Sequence, residues 1–594
     1  MKSRSTVGTV AAKRRTAGRT RHETGKAARK SDRVTSAPAK KGPVGLSPEV
    51  LSVFRKYEKV SPFEIKDKLI SLAAVSSRQS ASAMLNAGRG NPNWVATTPR
   101  EGFFLLGQFS MEESKRTMQL PDLGGMPAKQ GISFRLTTFL DAHHSAPGSE
   151  FLRAAVTYAV QRLGFDPDSF VHELVDSIIG DNYPVPDRML VHAERVAHEY
   201  LMWAMCDNKP PAGKFDLFAV EGGTAAMCYI FKSLMQNKIL HKGDVIALGT
   251  PIFTPYLEIP HLNDYEFEVV HVQATQENRF QFSDKELAKL EDPRIKAFFL
   301  VNPGNPSSVA ISQAVMNKLV ELVTTKRPDL IILTDDVYGT FVRGFRSLMA
   351  ELPHNTIGVY SYSKYFGCTG WRLGVVALHE DNILDRIIAG LSKKDRAELN
   401  HRYGSLTLEP EKLKFIDRMV ADSRDVALNH TAGLSLPQQV QMALFSLFQL
   451  IDNDDSYRTS VMKIVHDRLQ ATLDGLGIEP EIGPLFAAYY GIVDLEFWMR
   501  RYGGDDVVQF MKDHYHPLDI VYRLAADHSM VLLNGGGFDA PDWSVRISFA
   551  NLGDDVYDDI GRAVRAVART YVEACRFARP GGISSEKKPH TKNS

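Results

Sequence analysis

The segment 361–374, Ser-Tyr-Ser-Lys-Tyr-Phe-Gly-Cys-Thr-Gly-Trp-Arg-Leu-Gly, places several chemically active side chains on one glycine-containing turn. Lys364 carries an amine that can condense with an aldehyde. Ser361, Ser363 and Arg372 carry groups that can bind a phosphate dianion, and the arginine can do so through paired charge-assisted hydrogen bonds. The combination predicts a site for pyridoxal 5'-phosphate (PLP), with the lysine bound to the cofactor as a Schiff base.

A Ser-x-Ser-Lys string alone is weak evidence, because Ser and Lys are common on solvated turns. With the glycines and Arg372 at fixed offsets, the segment resembles the PLP-lysine segment of the aspartate aminotransferase superfamily. The resemblance implies the large α/β fold of type I PLP enzymes, with Lys364 as the catalytic residue. Cys368, inside the same segment, is interpreted as a small packing residue beside the cofactor and not as a nucleophile.

A second turn could bind the same phosphate. The sequence Glu-Gly-Gly-Thr-Ala at 221–225 follows a strand candidate and precedes a helical stretch. The backbone amides of Gly222 and Gly223 and the hydroxyl of Thr224 can hold a phosphate at the positive end of that helix. A Gly-Gly-Thr turn by itself is a common helix cap, so this prediction depends on the lysine segment.

Two further motifs follow in the order expected of the superfamily. An Asn-Pro-Gly-Asn-Pro string resembles the family's Asn-Pro-x-Asn-Pro motif, which implies that Asn305 donates a hydrogen bond to the ring oxygen of PLP. An Asp-Asp-Val-Tyr string resembles the family's Asp-x-x-Tyr. It implies that Asp335 pairs with the pyridine nitrogen and that Tyr338 bonds the ring oxygen. Asp336 is interpreted as a solvated neighbour.

The substrate and the outer face of the cofactor are assigned through the same resemblance. Arg546, in Val-Arg-Ile-Ser-Phe-Ala, is similar to the family arginine that grips the substrate α-carboxylate. Phe253 falls where the family places a ring that stacks on PLP; ordinary core packing is the alternative. Tyr183 resembles a tyrosine that reaches the phosphate from a neighbouring subunit. Arg89 and Gly90 lie in a loop expected on the substrate side, with Arg89 as a cation for a second carboxylate.

The resemblance extends to one branch of the superfamily. The long N-terminal arm, the loops 88–94 and 183–186 and an insertion after Leu378 together look like the aspartate 4-decarboxylase family, over residues 47–579. This implies that L-aspartate becomes L-alanine and carbon dioxide through a ketimine. Transamination with 2-oxo acids is then a side reaction. It also implies a homodimer or a larger homo-oligomer built from dimers.

Two other functions remain open at this stage. A plain aspartate or aromatic aminotransferase would share every cofactor residue named above. A PLP-fold transcription regulator would use a basic leader to bind DNA, but such regulators carry a helix-turn-helix unit before the aminotransferase-like part. Residues 1–45 have no apolar periodicity that could make one, which disfavours nucleic acid as a partner.

The composition of the chain agrees with an ordinary globular enzyme. Its 594 residues are 44% hydrophobic and 24% charged, and no apolar stretch is long enough to span a membrane. The cysteines are too few and too scattered for a disulfide framework or a metal site, which favours a cytoplasmic location and no metal. They are Cys206, Cys228, Cys368 and Cys575.

Charge is distributed unevenly along the chain. The net charge is +1, yet residues 1–41 hold 13 Lys/Arg against 2 Asp/Glu, and the rest holds 58 against 68. A segment so basic and so poor in large apolar side chains cannot bury enough surface to fold alone. Residues 1–45 are therefore predicted to be a disordered basic leader, and 580–594 a loose tail.

The remaining chain is predicted to form an α/β fold. From about residue 151, short apolar runs alternate with helical stretches, which predicts a large domain with a mostly parallel sheet, bearing its ligands at the carboxyl ends of the strands. The predicted boundaries are an N-terminal arm with part of the small domain at 46–150, a large PLP-binding domain at 151–430 with a helical insertion at 379–429, and a small α+β domain at 431–579. The strand candidates are 217–220, 245–248, 268–272, 297–301, 330–333, 356–360, 374–377, 483–495, 530–534 and 545–550.

Overall fold

The computed structural model of the chain describes residues 55–57, 60–80, 84–424, 433–480 and 482–578. The predictions made for the basic leader and for the C-terminal tail therefore lie outside the described residues.

The helices occupy both ends of the described part of the chain and the spaces between strands. None of the helices in these described ranges is both long enough and apolar enough to cross a membrane. In chain order they are α1 Pro62–Ser80, α2 Thr97–Thr117, α3 Ile132–Ala142, α4 Ser149–Gln161, α5 Pro167–Ile179, α6 Val191–Cys206, α7 Gly223–Gln236, α8 Thr254–Glu258, α9 Asp284–Ala288, α10 Gln313–Thr325, α11 Leu348–Glu351, α12 Ile383–Gly390, α13 Lys393–Tyr403, α14 Phe415–Asp422, α15 Leu436–Ile451, α16 Ser456–Leu476, α17 Leu495–Gly503, α18 Asp505–His514, α19 Asp519–His528 and α20 Tyr557–Ala578.

The strands form one large sheet and two small ones. They are β1 Leu85–Asn86, β2 Phe215–Val220, β3 Val245–Thr250, β4 Glu268–Gln273, β5 Ile295–Val301, β6 Ile331–Asp335, β7 Thr356–Ser361, β8 Gly374–His379, β9 Tyr490–Asp494, β10 Met530–Val531, β11 Leu533–Asn534 and β12 Ser544–Ser548.

The large sheet has the strand order β2-β8-β7-β6-β5-β3-β4. Strand β8 is antiparallel to both of its neighbours, and every other pair is parallel. Alternate residues of its strands belong to two separate apolar clusters, for example Ile246 and Leu248 to one and Val245 and Ala247 to the other. Helices therefore cover both faces, as a mainly parallel sheet requires. The predicted mostly parallel α/β sheet is confirmed.

The second part of the fold is built on a three-stranded antiparallel sheet, in the order β11-β12-β9. Within it Arg546 stands opposite Ile492 on β9 and Leu533 on β11, so it is held on a central strand. A separate short ladder joins β1 to β10 in parallel. Helix α1 packs against α19, and α16 packs along α20.

Two predicted strands differ from the structure. The segment 483–495 was expected as one strand, but β9 begins at Tyr490, and helix α17 starts at Leu495 because the Asp494 carboxylate accepts a hydrogen bond from the Phe497 amide and caps it. The segment 530–534 divides into β10 and β11, which pair with strands of different sheets. Apolar content alone did not reveal these breaks.

The contacts of two segments also depart from the predicted domain boundaries. Helices α2 and α3, inside the predicted 46–150 arm, pack on α5 of the large part, whereas α1 and β1 contact α19 and β10 of the smaller part. Helix α15, placed by sequence in the small domain, packs on α2, α4, α5 and α6. Its apolar periodicity correctly predicted a helix, but this pattern does not indicate which neighbouring helices cover its apolar face.

The insertion predicted at 379–429 is helical through α12, α13 and α14. It is anchored by Asp422, whose buried carboxylate accepts hydrogen bonds from Arg402 at 2.7 Å and Tyr403 at 2.8 Å within the insertion. The same carboxylate accepts from Ser233 at 3.0 Å and Asn237 at 3.2 Å at the end of α7. A fully buried acid with four donors ties the insertion to the helix that begins at the predicted phosphate site.

Candidate active site

A cavity of about 290 Å³ lies where the carboxyl ends of the parallel strands face the three-stranded sheet. Larger grooves of about 320, 500, 600 and 870 Å³ lie elsewhere, but none of them is lined by a residue that the sequence predicted for the site. The smaller cavity is lined by Phe63, Gly90, Asn91, Gly223, Thr224, Phe253, Tyr256, Val301, Asn305, Asp335, Val337, Tyr338, Ser361, Ser363, Lys364, Thr369, Arg372, Tyr490 and Arg546. The structure thus brings together most of the residues that the sequence singled out.

Lys364 lies three residues beyond the end of β7, and its amine is held at the cavity wall. Nζ donates a hydrogen bond to the carbonyl oxygen of Gly90 at 2.9 Å, and the Tyr489 hydroxyl donates to the same oxygen at 2.8 Å. The side chain is half-buried and has no carboxylate partner in the described chain. A lysine tethered only by a neutral carbonyl can be released to a ligand at little electrostatic cost.

The residues predicted to bind phosphate, here called the phosphate cradle, lie on two chain segments that contact each other. Gly222 has φ of +91° and precedes α7; a Cβ there would lie 2.3 Å from Nη2 of Arg372. Arg372 donates to the carbonyls of Thr369 and Glu221 and forms no ion pair within the described ranges. The Ser361 hydroxyl donates to Ser363 at 2.9 Å. Only glycine fits the left-handed backbone and the close approach of the guanidinium.

Asp335 ends β6 beneath the cavity and is buried. The Tyr256 hydroxyl donates to its Oδ2 at 2.7 Å, and the Val337 amide donates to Oδ1 at 3.2 Å. Burial raises the pKa of Asp335, and the Tyr256 hydrogen bond and the Lys364 charge only partly offset this. A buried carboxyl that forms no ion pair among the described residues is suited to pair with a protonated ring nitrogen.

Arg546 is 1% exposed, and no carboxylate forms an ion pair with it among the described residues. Its guanidinium donates to Asn305 Oδ1 at 3.1 Å and to the Gly88 carbonyl at 2.9 Å, while its buried Nε has no hydrogen-bond partner there. Burial lowers the pKa of Arg546. A buried, incompletely satisfied cation beside a cavity is a ready site for a carboxylate.

Asn305, Tyr338 and Phe253 all line the cavity, as predicted. The Asn305 amide nitrogen is free to donate to a ring oxygen because its Oδ1 faces Arg546. Tyr338 is buried against Tyr489 and Tyr490. Phe253 meets Tyr256 edge-on at 5.2 Å, so its ring is held rigidly at the cavity edge. Whether Phe253 stacks on a cofactor stays a prediction.

Three predicted residues, Gly222, Arg89 and Tyr183, are not among the lining residues of this cavity. Gly222 directly precedes the lining residue Gly223. Arg89 is exposed, although Gly90 and Asn91 beside it line the cavity. Tyr183 is 66% exposed and lies in a loop outside the cavity of its own chain. The roles given to these two side chains remain proposals.

Sequence reasoning missed three side chains that shape the site. Tyr256 lies one helical turn after Phe253, a spacing that could have suggested a shared face. Phe63 of α1 packs its ring 5.6 Å from the Arg546 guanidinium, and Tyr490 packs at 4.3 Å. No local pattern marks Phe63 or Tyr490, because both reach the site only through tertiary contacts.

Cys368 and Asp336 are neighbours of the motif residues, and the prediction for one of them is wrong. Cys368 is buried, and burial raises the pKa of its thiol to about 12, so it is a packing residue as predicted. Asp336 was expected to be solvated, and this is wrong. Its carboxyl is fully buried and accepts hydrogen bonds from Thr334, at 2.7 Å, and from Ser347.

Asp336→Asn is expected to change how stability depends on pH. Burial raises the pKa of Asp336 from 3.8 to about 7, so its neutral form favours folding below pH 3.8, and this contribution is lost as pH rises to 7. The asparagine cannot ionise. The loss in wild type should be on the order of 2–4 kcal/mol.

The measurement is the urea midpoint of unfolding of the cofactor-free protein at pH 5 and at pH 8. Wild type should lose more stability between the two values than Asp336→Asn does. Equal losses in both proteins would contradict the assignment of a neutral, buried carboxyl at this position.

The described donors fit PLP as a set. A phosphate would meet the amides at the start of α7, two serine hydroxyls and Arg372. The ring would lie over Asp335, and an aldehyde would face Lys364. Arg546, which has no acidic partner among the described residues, would then bind the carboxylate of an amino acid substrate. The arrangement can hold an electron-withdrawing ring and an amino acid within reach of one basic amine.

Comparison with known proteins agrees with this geometry. Residues 219–560 match the family described as aminotransferase class I and II. The chain is 46% identical over 517 residues to a bifunctional aspartate aminotransferase and L-aspartate beta-decarboxylase of a Pseudomonas species, covering 87% of this chain and 97% of that protein. It is 31% identical over 166 residues to an aspartate aminotransferase of Rhizobium meliloti, covering 27% and 39%.

Solved structures share the fold at low sequence identity. An aromatic aminotransferase from Pyrococcus horikoshii superposes with a TM-score of 0.52 at 16% identity, covering 84% of this chain and all of that one. A Pyrococcus protein called protein-A1 gives 0.54 at 16% identity, covering 88% and 100%. At this identity the likeness concerns the fold.

Proposed function

Because the chain belongs to the class I and II aminotransferases, a family of PLP-dependent enzymes, we propose that it converts L-aspartate to L-alanine and carbon dioxide, with aspartate transamination as a side activity. The similarity to the bifunctional Pseudomonas enzyme extends over nearly all of that protein, which supports this choice over a plain aminotransferase.

The single observation that carries the proposal is Arg546. Its guanidinium is buried at the cavity, it lacks an acidic partner in the described chain, and one of its nitrogens is unsatisfied. Burying such a group is costly unless a ligand completes it. A carboxylate held by Arg546 would lie between β12 and Lys364, which positions an α-amino acid with its Cα facing the lysine amine.

The bound cofactor supplies an aldehyde for the substrate amine and a ring that withdraws electrons from Cα. The protein residues perform the remaining tasks. Lys364 takes the Cα proton and can return it. Asp335 holds the proton on the ring nitrogen, and Asn305 and Tyr338 orient the ring oxygen. Phe63, Gly90 and Asn91 line the cavity on the side formed by the N-terminal part of the described chain.

Loss of carbon dioxide requires one more condition. The side-chain carboxylate must be recognised, but it must not be tightly paired when its bond to Cβ breaks, because strong binding of the ground state raises the barrier. Apart from Arg546 and Arg372, the lining residues include no other arginine, and Lys364 is their one lysine. The lining therefore offers the side-chain carboxylate no arginine beyond those assigned to the α-carboxylate and to the phosphate.

The product assay tests this function. The enzyme loaded with PLP is incubated with L-aspartate without a 2-oxo acid, and carbon dioxide and alanine are measured over many turnovers. Stoichiometric release of both is expected. If oxaloacetate forms only once per active site and carbon dioxide does not accumulate, the protein is an aminotransferase and not a decarboxylase.

We further propose that Arg89 recognises the second carboxylate of aspartate. It is the cation adjacent to the lining residues Gly90 and Asn91, and no ion pair within the described ranges engages it. Arg89→Ala should raise the KM for aspartate about tenfold or more, which is the loss expected for a charged hydrogen bond. The KM for alanine as an amino donor should change little, because alanine has no second carboxylate.

Steady-state kinetics with both amino acids check this prediction. Lys115→Ala, which removes an exposed cation of α2 outside the cavity, is the matched control and should change neither KM. Equal losses with aspartate and alanine would reject the role given to Arg89.

We propose that the active unit is a homodimer or a larger assembly of dimers. The loop and helix start that carry Tyr183, Val185 and Val191 expose these side chains at 66%, 79% and 53%, a cluster of apolar surface that a second copy can cover. Tyr183 would then reach the phosphate site of the neighbouring chain.

Val185→Asp is expected to weaken the dimer and, through Tyr183, the retention of PLP. Light scattering of the holoenzyme should show a smaller mass, and dialysis should remove the cofactor faster. Leu408→Asp, at a fully exposed site in the insertion, is the control and should change neither. An unaltered mass for Val185→Asp would place the dimer contact elsewhere.

A cytoplasmic location is part of the same proposal. All four cysteines are free thiols, three of them buried, which suits a reducing compartment. We assign no metal; among the described residues, no cluster of His, Cys, Asp or Glu side chains is arranged to hold one.

A further inference from the structure

Tyr490 is a cavity-lining side chain to which neither the motifs nor the comparisons assign a role. It is the first residue of β9, it is 2% exposed, and its amide donates to the Ser308 hydroxyl at 2.8 Å. Its ring lies against the Arg546 guanidinium, with 4.3 Å from Cζ to the ring centroid. Backbone and ring are therefore both held in place, and its hydroxyl is directed by the fold.

The hydroxyl of Tyr490 lies close to the Lys364 amine. A Cβ on Gly90 would lie 2.4 Å from the Tyr490 Oη and 3.2 Å from the Lys364 Nζ, so both polar atoms border one small volume. The lack of a side chain at Gly90 keeps that volume open. A substrate with its carboxylate on Arg546 and its Cα facing Lys364 would have its Cβ near this hydroxyl, because Tyr490 packs on Arg546 and borders the same volume as the lysine amine.

The electrostatic surroundings distinguish Tyr490 from its neighbours. Burial opposes its ionisation, but the charges of Lys364 and Arg546 and a contact with the Tyr338 hydroxyl together lower its pKa. Burial instead raises the pKa of Tyr338 and of Tyr489. Among the three clustered phenols, the charges of Lys364 and Arg546 thus favour ionisation of Tyr490.

The proposed reaction needs a proton donor that transamination does not need. When carbon dioxide leaves aspartate, the electron pair of the broken bond stays with the substrate, and Cβ must then gain a proton. Lys364 is already engaged with the proton at Cα. A second acid on the Cβ side separates the two proton transfers.

We propose that Tyr490 is a catalytic acid that delivers this proton to Cβ. The phenol O–H bond breaks, a C–H bond forms at Cβ, and the resulting phenolate is stabilised by the cations of Lys364 and Arg546. Solvent returns the proton to Tyr490 after alanine leaves. The inference rests on the proposed decarboxylase function.

The first test measures the protein without its cofactor. The ultraviolet absorbance of tyrosinate is titrated in wild type, Tyr490→Phe and Tyr489→Phe. The difference between wild type and Tyr490→Phe should contain one phenol that ionises below the ordinary value of 10.0, and the difference for Tyr489→Phe should not. If removing Tyr490 leaves the titration below pH 10 unchanged, the proposal is wrong.

The second test separates the two reactions of the holoenzyme. Tyr490→Phe keeps the ring on Arg546, so substrate KM should be preserved. Steady-state formation of alanine, and with it carbon dioxide release over many turnovers, should fall about 100-fold, the usual contribution of a general acid. Conversion of the cofactor to its amine form by aspartate should stay within a few-fold of wild type. A parallel fall of both reactions would overturn the assignment.

A second variant keeps the proposal testable if Tyr490→Phe does not fold. Tyr490→His supplies another titratable group, and the pH dependence of its decarboxylation should have a lower midpoint than that of wild type. An unchanged pH profile would again overturn the proposal. Failure of the underlying function is recognised separately, because wild type itself would then release no carbon dioxide while the tyrosinate titration remained readable.

Discussion

Lys364→Ala should abolish both the decarboxylation and the transamination of aspartate, with kcat reduced on the order of 10⁴-fold or more. The amine is the group that lies at the cavity within reach of both the cofactor and the substrate Cα, and it is the one lysine among the lining residues. Loss of this side chain removes the covalent attachment and the base together. The effect should therefore exceed that of any other single substitution in the cavity.

The covalent role can be measured without turnover. Borohydride reduction of the holoenzyme followed by mass spectrometry should place the cofactor on the peptide that contains Lys364, and the variant should carry none. Lys296→Ala removes an exposed lysine of β5 and should leave the labelling unchanged. Label retained elsewhere in Lys364→Ala, together with turnover, would show that a different lysine binds PLP.

Arg546→Gln is expected to have the second-largest effect. Glutamine can still donate to Asn305 or to the Gly88 carbonyl, but it cannot form a paired, charged contact with a carboxylate. The expected loss of kcat/KM is about 10²–10³-fold for every α-amino acid, as is usual when one partner of a desolvated charge pair is removed. The spectrum of bound PLP should be retained, because Arg546 does not contact the phosphate cradle.

The same substitution has a consequence for stability that a purely structural arginine would not have. Burial lowers the pKa of Arg546, and its Nε has no hydrogen-bond partner in the described chain. The unsatisfied buried cation therefore lowers the free energy of unfolding of the unliganded protein. Thermal unfolding of the unliganded Arg546→Gln protein should occur at the wild-type temperature or above it. A large drop in the unfolding temperature, with substrate affinity preserved, would assign Arg546 a structural role.

The sequence predicted the residues that lie on local motifs. The turns at the carboxyl ends of β2, β5, β6 and β7 each carry their functional side chains within a few residues of a buried strand. Parallel strands bring those ends to one edge of the sheet, so the order of the motifs was sufficient to assemble Gly222, Asn305, Asp335 and Lys364. Strand periodicity and turn-forming residues are local properties of the sequence, and the folded chain keeps the strands and turns that they predict.

Other predictions failed because the deciding contact lies far away in sequence. Asp336 follows Asp335 directly in the sequence, but its carboxyl is buried by contacts with residues farther along the chain. Ser347, at the start of α11, donates a hydrogen bond to this carboxyl. Helix α15 was assigned to the smaller part because it follows the insertion, but its apolar face is buried by helices near the N-terminus. Neither outcome has a signature in adjacent residues.

By itself the sequence determined the fold class and predicted the PLP lysine, the phosphate-binding turns and the acid at the end of β6, since each depends on short segments whose backbone conformation is set locally. Only the tertiary structure decided that Tyr490 and Phe63 enclose Arg546, and that the Gly90 carbonyl holds Lys364. The reason is physical. Residues separated by more than fifty positions in the sequence meet through burial of apolar surface, which is non-directional and leaves no short pattern in the chain.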